Sequence, residues 1–407
     1  MMIKDYNNGF KNPVAYKVGA VYSGLFMFVG AALPFWALWL SKMGLTPGEI
    51  GFLIGFPAFL KVLSAPFVAQ LCDKWGMTRR PMMALMALSV IFFCGYFFSR
   101  SFMAFVLVTL VFSLVYYSVS PLVESYAVRT CDRYNLQYGR LRSVGSIVFI
   151  ITSVLFGIYL DHSGYDNFLY FCLGSLVLTF VAIFLLPKDG RKFPAPDFKS
   201  VKSGPESPIG DQVPLRFLLT SQQFIMFLVV ISLVQMSHGF MYVMGSYHWA
   251  AQGINNETIG LLWSIGVVAE ILVFIFAGKI ITRIRPMYIL GVIAIFGTVR
   301  WGVMALTSSV PLLMFLQTFH GLTYGAAHLV AMYYLSTRVP DQYFTTAQSL
   351  YSSIPMGLSI GVVMLLSGPL YDGFGGQAYF FMAGLCFLVL FVARYVRRID
   401  HDVLRIK

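Results

Sequence analysis

Lys61 and Glu270 are single charges inside long apolar runs, FPAFLKVLS and GVVAEILVF. An ionisable group in such a run is costly, and it usually marks a substrate or ion path. The two positions are also related to each other. Residues 49–74 align without a gap on residues 258–283 at a shift of 209, placing Ile50 on Ile259, Gly51 on Gly260, Phe67 on Phe276 and Lys61 on Glu270. Self-similarity half a chain apart is the mark of a duplicated bundle, whose equivalent positions approach one central path. Lys61 then either attracts a substrate carboxylate or pairs with Glu270, and Glu270 binds substrate or a proton. The alternative is a structural intramembrane ion pair.

Composition sets the medium in which these charges act. The chain has 407 residues, 58% hydrophobic and 11% charged, against about 25% charged in a soluble domain. The formal charge of +12 would suit nucleic acid in a soluble protein. In a membrane protein it reflects basic cytoplasmic loops, and no nucleic-acid partner is expected. The five cysteines, at 72, 94, 131, 172 and 386, show no CxxC or metal spacing and read as small buried hydrophobes. HExxH, a serine nucleophile elbow, a phosphate loop and clustered metal ligands are all absent from the sequence, which argues against an enzyme. No cofactor is expected beyond a proton as coupling ion. The polar start, Met1 to Pro13, leads directly into an apolar run and suggests an uncleaved first span.

Twelve runs are near the ~20 residues a spanning helix needs. They fall at about 14–40, 48–71, 81–99, 102–127, 139–160, 165–187, 216–247, 256–280, 286–306, 309–337, 344–371 and 376–397. Apart from Lys42 and Arg100, and from Lys61, Arg142 and Arg300 within spans, the 29 lysines and arginines fall on one side. The loops are short, so this bias places both termini in the cytoplasm. The stretch 188–214 is polar and rich in Pro and Ser, as expected of a cytoplasmic linker. The expected architecture is an all-α membrane protein: a six-helix bundle over 1–187, a linker over 188–215 and a second six-helix bundle over 216–407. The expected site is a multi-pass position in a bacterial inner membrane, as a monomer, with a small-molecule substrate and the bilayer as partners.

The loop after the second run reads AQLCDKWGMTRR, from Ala69 to Arg80. It resembles the major facilitator superfamily signature, Gly-x-x-x-Asp-Arg/Lys-x-Gly followed by basic residues, with Ala69 in place of the first glycine. The resemblance implies a cytoplasmic gating motif of Asp73, Lys74, Gly76, Arg79 and Arg80. A plain inside-positive bias would explain Arg79 and Arg80 but not Asp73 and Gly76. The second copy, Gly278-Lys279 to Arg283, lacks the acid.

Glu124 in PLVESY and Arg142 in YGRLRSVGS stand 18 residues apart, and Arg300 in TVRWG and His320 in LQTFHG stand 20 apart. These runs are similar to the lactose permease group of oligosaccharide:proton symporters. YGRLRSVGS, VVAEIL and HGLTYGAAH resemble the phenylpropionate permease group more. The departures are Thr323, where the sugar permeases have a carboxylate, Gln317, where they have a lysine, and no lysine in the eleventh run. The resemblance implies that Glu124 and Arg142 take part in substrate binding, against snorkelling of Arg142 and a cytoplasmic ion pair of Glu124. It also makes His320 the candidate partner of the deep Arg300. His328 lies two turns on, either functional or a satisfied structural histidine. His238 and His248 are weaker candidates. Tyr22, Phe26, Trp36, Tyr242 and Tyr324 either face the cavity and stack on a ring or, as such residues more often do, face lipid or core. The function implied is proton-coupled import of an aromatic carboxylate. Sugar or nucleoside symport, or efflux, is the alternative.

Overall fold

The computed structural model describes residues 12–75, 77–187, 215–340 and 343–399, and among them every regular element is helical. Twelve long helical segments follow one another among the described residues. They are α1 Pro13–Lys42, α2 Pro47–Trp75, α3 Arg79–Phe97, α4 Phe102–Tyr134, α5 Tyr138–Ser163, α6 Phe168–Phe184, α7 Gln222–Ala251, α8 Asn256–Phe276, α9 Pro286–Met304, α10 at 310–338, α11 at 344–374 and α12 Tyr379–Ile399. Their starts are written in the sequence. Thr46 and Glu49 form a capping box at α2, with Glu49 Oε2 accepting from Thr46 N at 2.9 Å and Glu49 N donating to Thr46 Oγ1 at 3.3 Å. Ser101 and Asn255 cap α4 and α8 in the ordinary way. The run 216–247 proves to be broken. Ser221 caps α7, so a short helix, Leu215–Thr220, precedes it.

Among the described residues eight helical runs are long and apolar enough to cross a membrane, one of them running through α11 and α12, while α6 is an apolar helix just short of that length. The segments α2 and α10 are not among them, and these carry Glu49, Lys61 and Lys74, and Gln317, His320, Thr323 and His328. A helix tolerates such groups in lipid only where they face a path or a protein interior. The exposed faces are apolar: Ile147, Ile151 and Leu155 on α5, and Val292, Ile295 and Val299 on α9, while Arg300 of α9 is 0% exposed. Apolar outside and charged inside is the reverse of a soluble bundle, and it follows from lipid as solvent.

The chain divides into two compact units, Met1–Trp36 with Leu60–Ile209, and Ala37–Phe59 with Gly210–Lys407. In the first, α1 packs by small residues, with Gly24 against Thr179 of α6 and Gly30 against Phe149 and Thr152 of α5. Beside them Phe28, Phe93, Phe112 and Tyr116 form an aromatic core. Trp36 belongs to it through Phe93, Tyr96 and Phe168, so its role is packing.

In the second unit, α10 and α11 are each interrupted by a π-helical turn, at Gly321–Ala326 and Ile354–Ser359. Such turns re-aim side chains and recur at functional sites. The early part of α2 packs on α11 at Gly51 and Gly55. A Cβ on Gly55 would stand 2.6 Å from the Leu365 backbone nitrogen, and one on Gly51 would stand 2.8 Å from that of Gly368. Backbone cannot yield as a side-chain tip can. Gly55→Leu is therefore expected to cost about 1–3 kcal/mol, seen as a lower melting temperature of the purified protein. Unchanged melting would contradict this packing.

Candidate functional site

Each unit holds one cluster of polar groups in an apolar setting. In the first, Glu124 of α4 meets Arg142 of α5, with Oε1 3.2 Å from Nε. The other carboxylate oxygen accepts from Tyr22 Oη of α1 at 2.7 Å and from the hydroxyl of Tyr138. The Arg142 guanidinium lies over the rings of Phe26, 4.5 Å from its centroid, and Tyr22, at 5.8 Å. Gly145 leaves the room that Phe26 occupies. Both charged side chains are about one-third exposed, so the pair adds little stability, on the order of 0–1 kcal/mol. What it offers is a cation with an aromatic wall and a carboxylate fixed by two phenols. Lys61, in the same unit, is exposed, with its ammonium 5.9 Å from the centroid of Tyr117.

The second cluster is centred on Arg300 of α9. Nη1 donates to Thr323 Oγ1 at 2.9 Å, and Nη2 donates to Gln317 Oε1 at 2.7 Å and meets Met241 Sδ at 3.4 Å. The guanidinium carbon is 4.2 Å from the Trp301 ring centroid. Nε is buried without a partner among the described residues. His320 Nδ1 is 3.5 Å from Nη1, and His320 Nε2 is 4.0 Å from Glu270 Oε2 of α8. A guanidinium has no acceptor, so Nδ1 must accept, and the neutral ring carries its proton on Nε2, toward Glu270. Arg300 thus touches neutral groups alone among the described residues, and Glu270 reaches it through an imidazole. Small residues allow this closeness: Gly321 packs on the Ala269 carbonyl and Gly325 on Glu270.

His238, weak in the sequence, belongs to this cluster. Its Nε2 is 3.0 Å from Thr323 Oγ1 and its Nδ1 is 3.2 Å from the Val234 carbonyl. That carbonyl can only accept, so Nδ1 carries the proton and Nε2 accepts the Thr323 hydrogen. A second proton on His238 would reverse that bond and send the Thr323 hydrogen to the Phe319 carbonyl, 3.0 Å away. Thr323, a departure from the sugar permeases, is therefore the junction of Arg300 and His238. Tyr324 stacks on His320 at 5.2 Å and faces His238 at 5.9 Å. Tyr242 lies beside His238, ring centroids 6.1 Å apart. The sequence held one sign of His238: with Tyr242 four residues on, it puts two polar rings on one face of α7.

His328 sits 2.8 Å from Tyr351 Oη. His248 contacts Tyr371 and Gln252 and lies outside the cluster. In the signature loop, Arg79 donates to the Ile183 and Phe184 carbonyls at the end of α6, where a cation suits the helix terminus. Arg80 and Lys74 are exposed. Gly76 and the side chain of Asp73 lie outside the described residues, as does the linker after Pro187.

Two polar clusters in an all-helical membrane bundle suit solute transport, and comparison with known proteins fixes the family. The model of the MFS_1-like family matches residues 16–382. The chain belongs to that family. It is 29% identical over 371 residues to a protein of Escherichia coli strain K12 described as "Probable 3-phenylpropionic acid transporter", covering 91% of this chain and 95% of that one. It is 25% identical to the maltose permease of Geobacillus stearothermophilus, over 90% of each chain. The crystal structure of the nucleoside transporter NupG superposes with a TM-score of 0.80 at 13% identity, covering 96% of this chain and 100% of that one. The chain is an all-α membrane transporter of the major facilitator fold and not an enzyme.

Proposed function

We propose that this chain imports a small organic anion together with a proton, by alternating access, and that the anion is an aromatic carboxylate of the phenylpropionate kind. One observation carries this reading. Arg300 is a wholly buried cation whose contacts among the described residues are all neutral and whose Nε has no partner among them. A buried charge is stable only with compensation, and a substrate carboxylate supplies it. The first unit holds a cation of its own beside aromatic rings, Arg142 against Phe26 and Tyr22. A relative described as a 3-phenylpropionic acid transporter supports the same substrate class. Glu270, linked to Arg300 through His320, is the proposed proton carrier, and Lys61, its partner in the repeat, the proposed second cation.

A hydroxylated solute, sugar or nucleoside, is the second reading. It is favoured by the Glu124 carboxylate, which accepts from two hydroxyls already and could exchange one for a substrate hydroxyl. Purified protein in liposomes with the interior alkaline, offered labelled 3-phenylpropionate, a nucleoside or maltose, separates the two. Saturable accumulation of the acid above that in protein-free vesicles supports the first reading, and selective accumulation of either neutral solute overturns it. Orientation is tested apart. With both termini and the 188–214 stretch cytoplasmic, Ser203→Cys is expected to resist a membrane-impermeant thiol reagent added to intact cells. Prompt labelling would reverse the topology.

A further inference from the structure

From Ser237 to Ser246, every residue of α7 is buried except Tyr242, which is partly exposed. On a lipid-facing stripe, the positions one turn to either side would be open as well. Here those positions, His238, Gly239, Gly245 and Ser246, are all buried. Tyr242 therefore meets a local opening in the protein rather than lipid. Tyr324 of α10 is similarly placed. It is partly exposed, while His320, Gly321 and Ala327, one turn away, are buried and His328 is partly so.

The two tyrosines flank one cation. Met241 Sδ and Thr323 Oγ1 both touch the Arg300 guanidinium, at 3.4 Å and 2.9 Å, and each of these residues is followed in the chain by one of the tyrosines. Tyr242 is near enough to Tyr324, Glu270 and Arg300 to interact electrostatically with each. Neighbouring rings fix both phenols. Tyr324 lies on His320 with centroids 5.2 Å apart and planes at 7°. Tyr242 lies between His238 and Trp263, 6.1 Å from each. Rings already held by packing lose little freedom when a solute arrives. A phenol with one face covered offers its rim, and the positive rim of one ring suits the face of another.

We propose that Tyr242 and Tyr324 are the specificity-determining residues of the Arg300 site. They grip the ring of the solute whose carboxylate Arg300 binds, and so select aromatic acids over aliphatic acids of the same length and charge. This selection rests on the anion import proposed above. An aliphatic acid meets the same cation and a similar apolar area, and forgoes only the ring–ring contact, a loss of about three- to tenfold.

The probes are 3-phenylpropionate and 3-cyclohexylpropionate, which share the carboxylate, the connecting chain and nearly the same bulk. Saturable uptake of each into liposomes is measured above the protein-free background, and the ratio of their kcat/KM values is the readout. The parent is expected to favour the phenyl acid. Tyr242→Leu and Tyr324→Leu are each expected to lower that preference by about three- to tenfold, with the methionine variants as substitutes should leucine unfold the protein. Tyr242→Phe and Tyr324→Phe keep the ring and should hold the preference within about twofold. An unchanged preference in the leucine variants overturns the proposal. An equal loss for both acids also overturns it, since that marks packing. So does a phenylalanine variant that loses the preference as leucine does, because the effect then belongs to the hydroxyl. A parent that takes up both acids without preference overturns it as well. A parent that takes up neither acid removes the anion reading itself, and that result is visible before any variant is made.

Discussion

Arg300→Met is expected to abolish uptake of the anionic solute while leaving the fold intact. Losing a buried charge partner costs a bound carboxylate about 2–5 kcal/mol, a fall of about thirtyfold or more in affinity. The fold should tolerate the change because the groups around Arg300 keep other partners. Gln317 Nε2 donates to the Leu262 carbonyl at 3.1 Å, and the Thr323 hydroxyl has the Phe319 carbonyl and His238. Replacing a buried charge with an apolar side chain of similar size is often neutral for stability. Arg300→Lys should fail as well, because an ammonium is a point charge and cannot span Thr323 and Gln317 as a planar fork does. Uptake and melting temperature are measured together. Full uptake by Arg300→Met would end the anion reading, and a collapse in melting with no folded protein would make Arg300 structural.

The second large effect is expected at Glu270. Glu270→Gln keeps the shape and the packing against Gly325 but cannot release a proton. Accumulation against a gradient should disappear, while exchange of labelled for unlabelled solute at equal pH persists within a few-fold, because exchange needs no proton turnover. Lys61→Ala should instead weaken binding, most of all for anions. The double variant Lys61→Ala with Glu270→Ala is expected to fold and not to accumulate solute. If it accumulates solute like the parent, both charges are structural and the proton belongs to His320 or Glu124.

The fold was legible because lipid imposes a simple rule: apolar runs of spanning length, punctuated by basic loops. The rule does not see interruptions. It merged Leu215–Thr220 into α7 across Ser221, and it gave no sign of the π-helical turns in α10 and α11, which contain Gly321 and Pro355. The pairs Glu124 with Arg142 and Arg300 with His320 were legible through matched spacing, and both meet in the structure. His238 was undervalued because a histidine in an apolar run looks like core until its partner, 85 residues on, is known. Thr323 and Gln317 were noticed as departures, but that both would hold Arg300 needed α9 and α10 in register. Tyr22, noted in the sequence for its ring, donates its hydroxyl to Glu124, and Tyr138 carried no signal, since a polar residue in an apolar run says nothing of what it will face. Trp36, open to either role in the sequence, packs in the core.

The most direct test is the movement of the proton with the solute. Liposomes holding the protein in weakly buffered medium receive 3-phenylpropionate already adjusted to the bath pH, and the external pH is followed. Protein-free vesicles set the background, because the neutral acid diffuses through lipid by itself. The account predicts a rise in external pH well above that background, saturating with solute, lost in Arg300→Met and lost in Glu270→Gln. Saturable entry of the acid with no pH change beyond the background would contradict it.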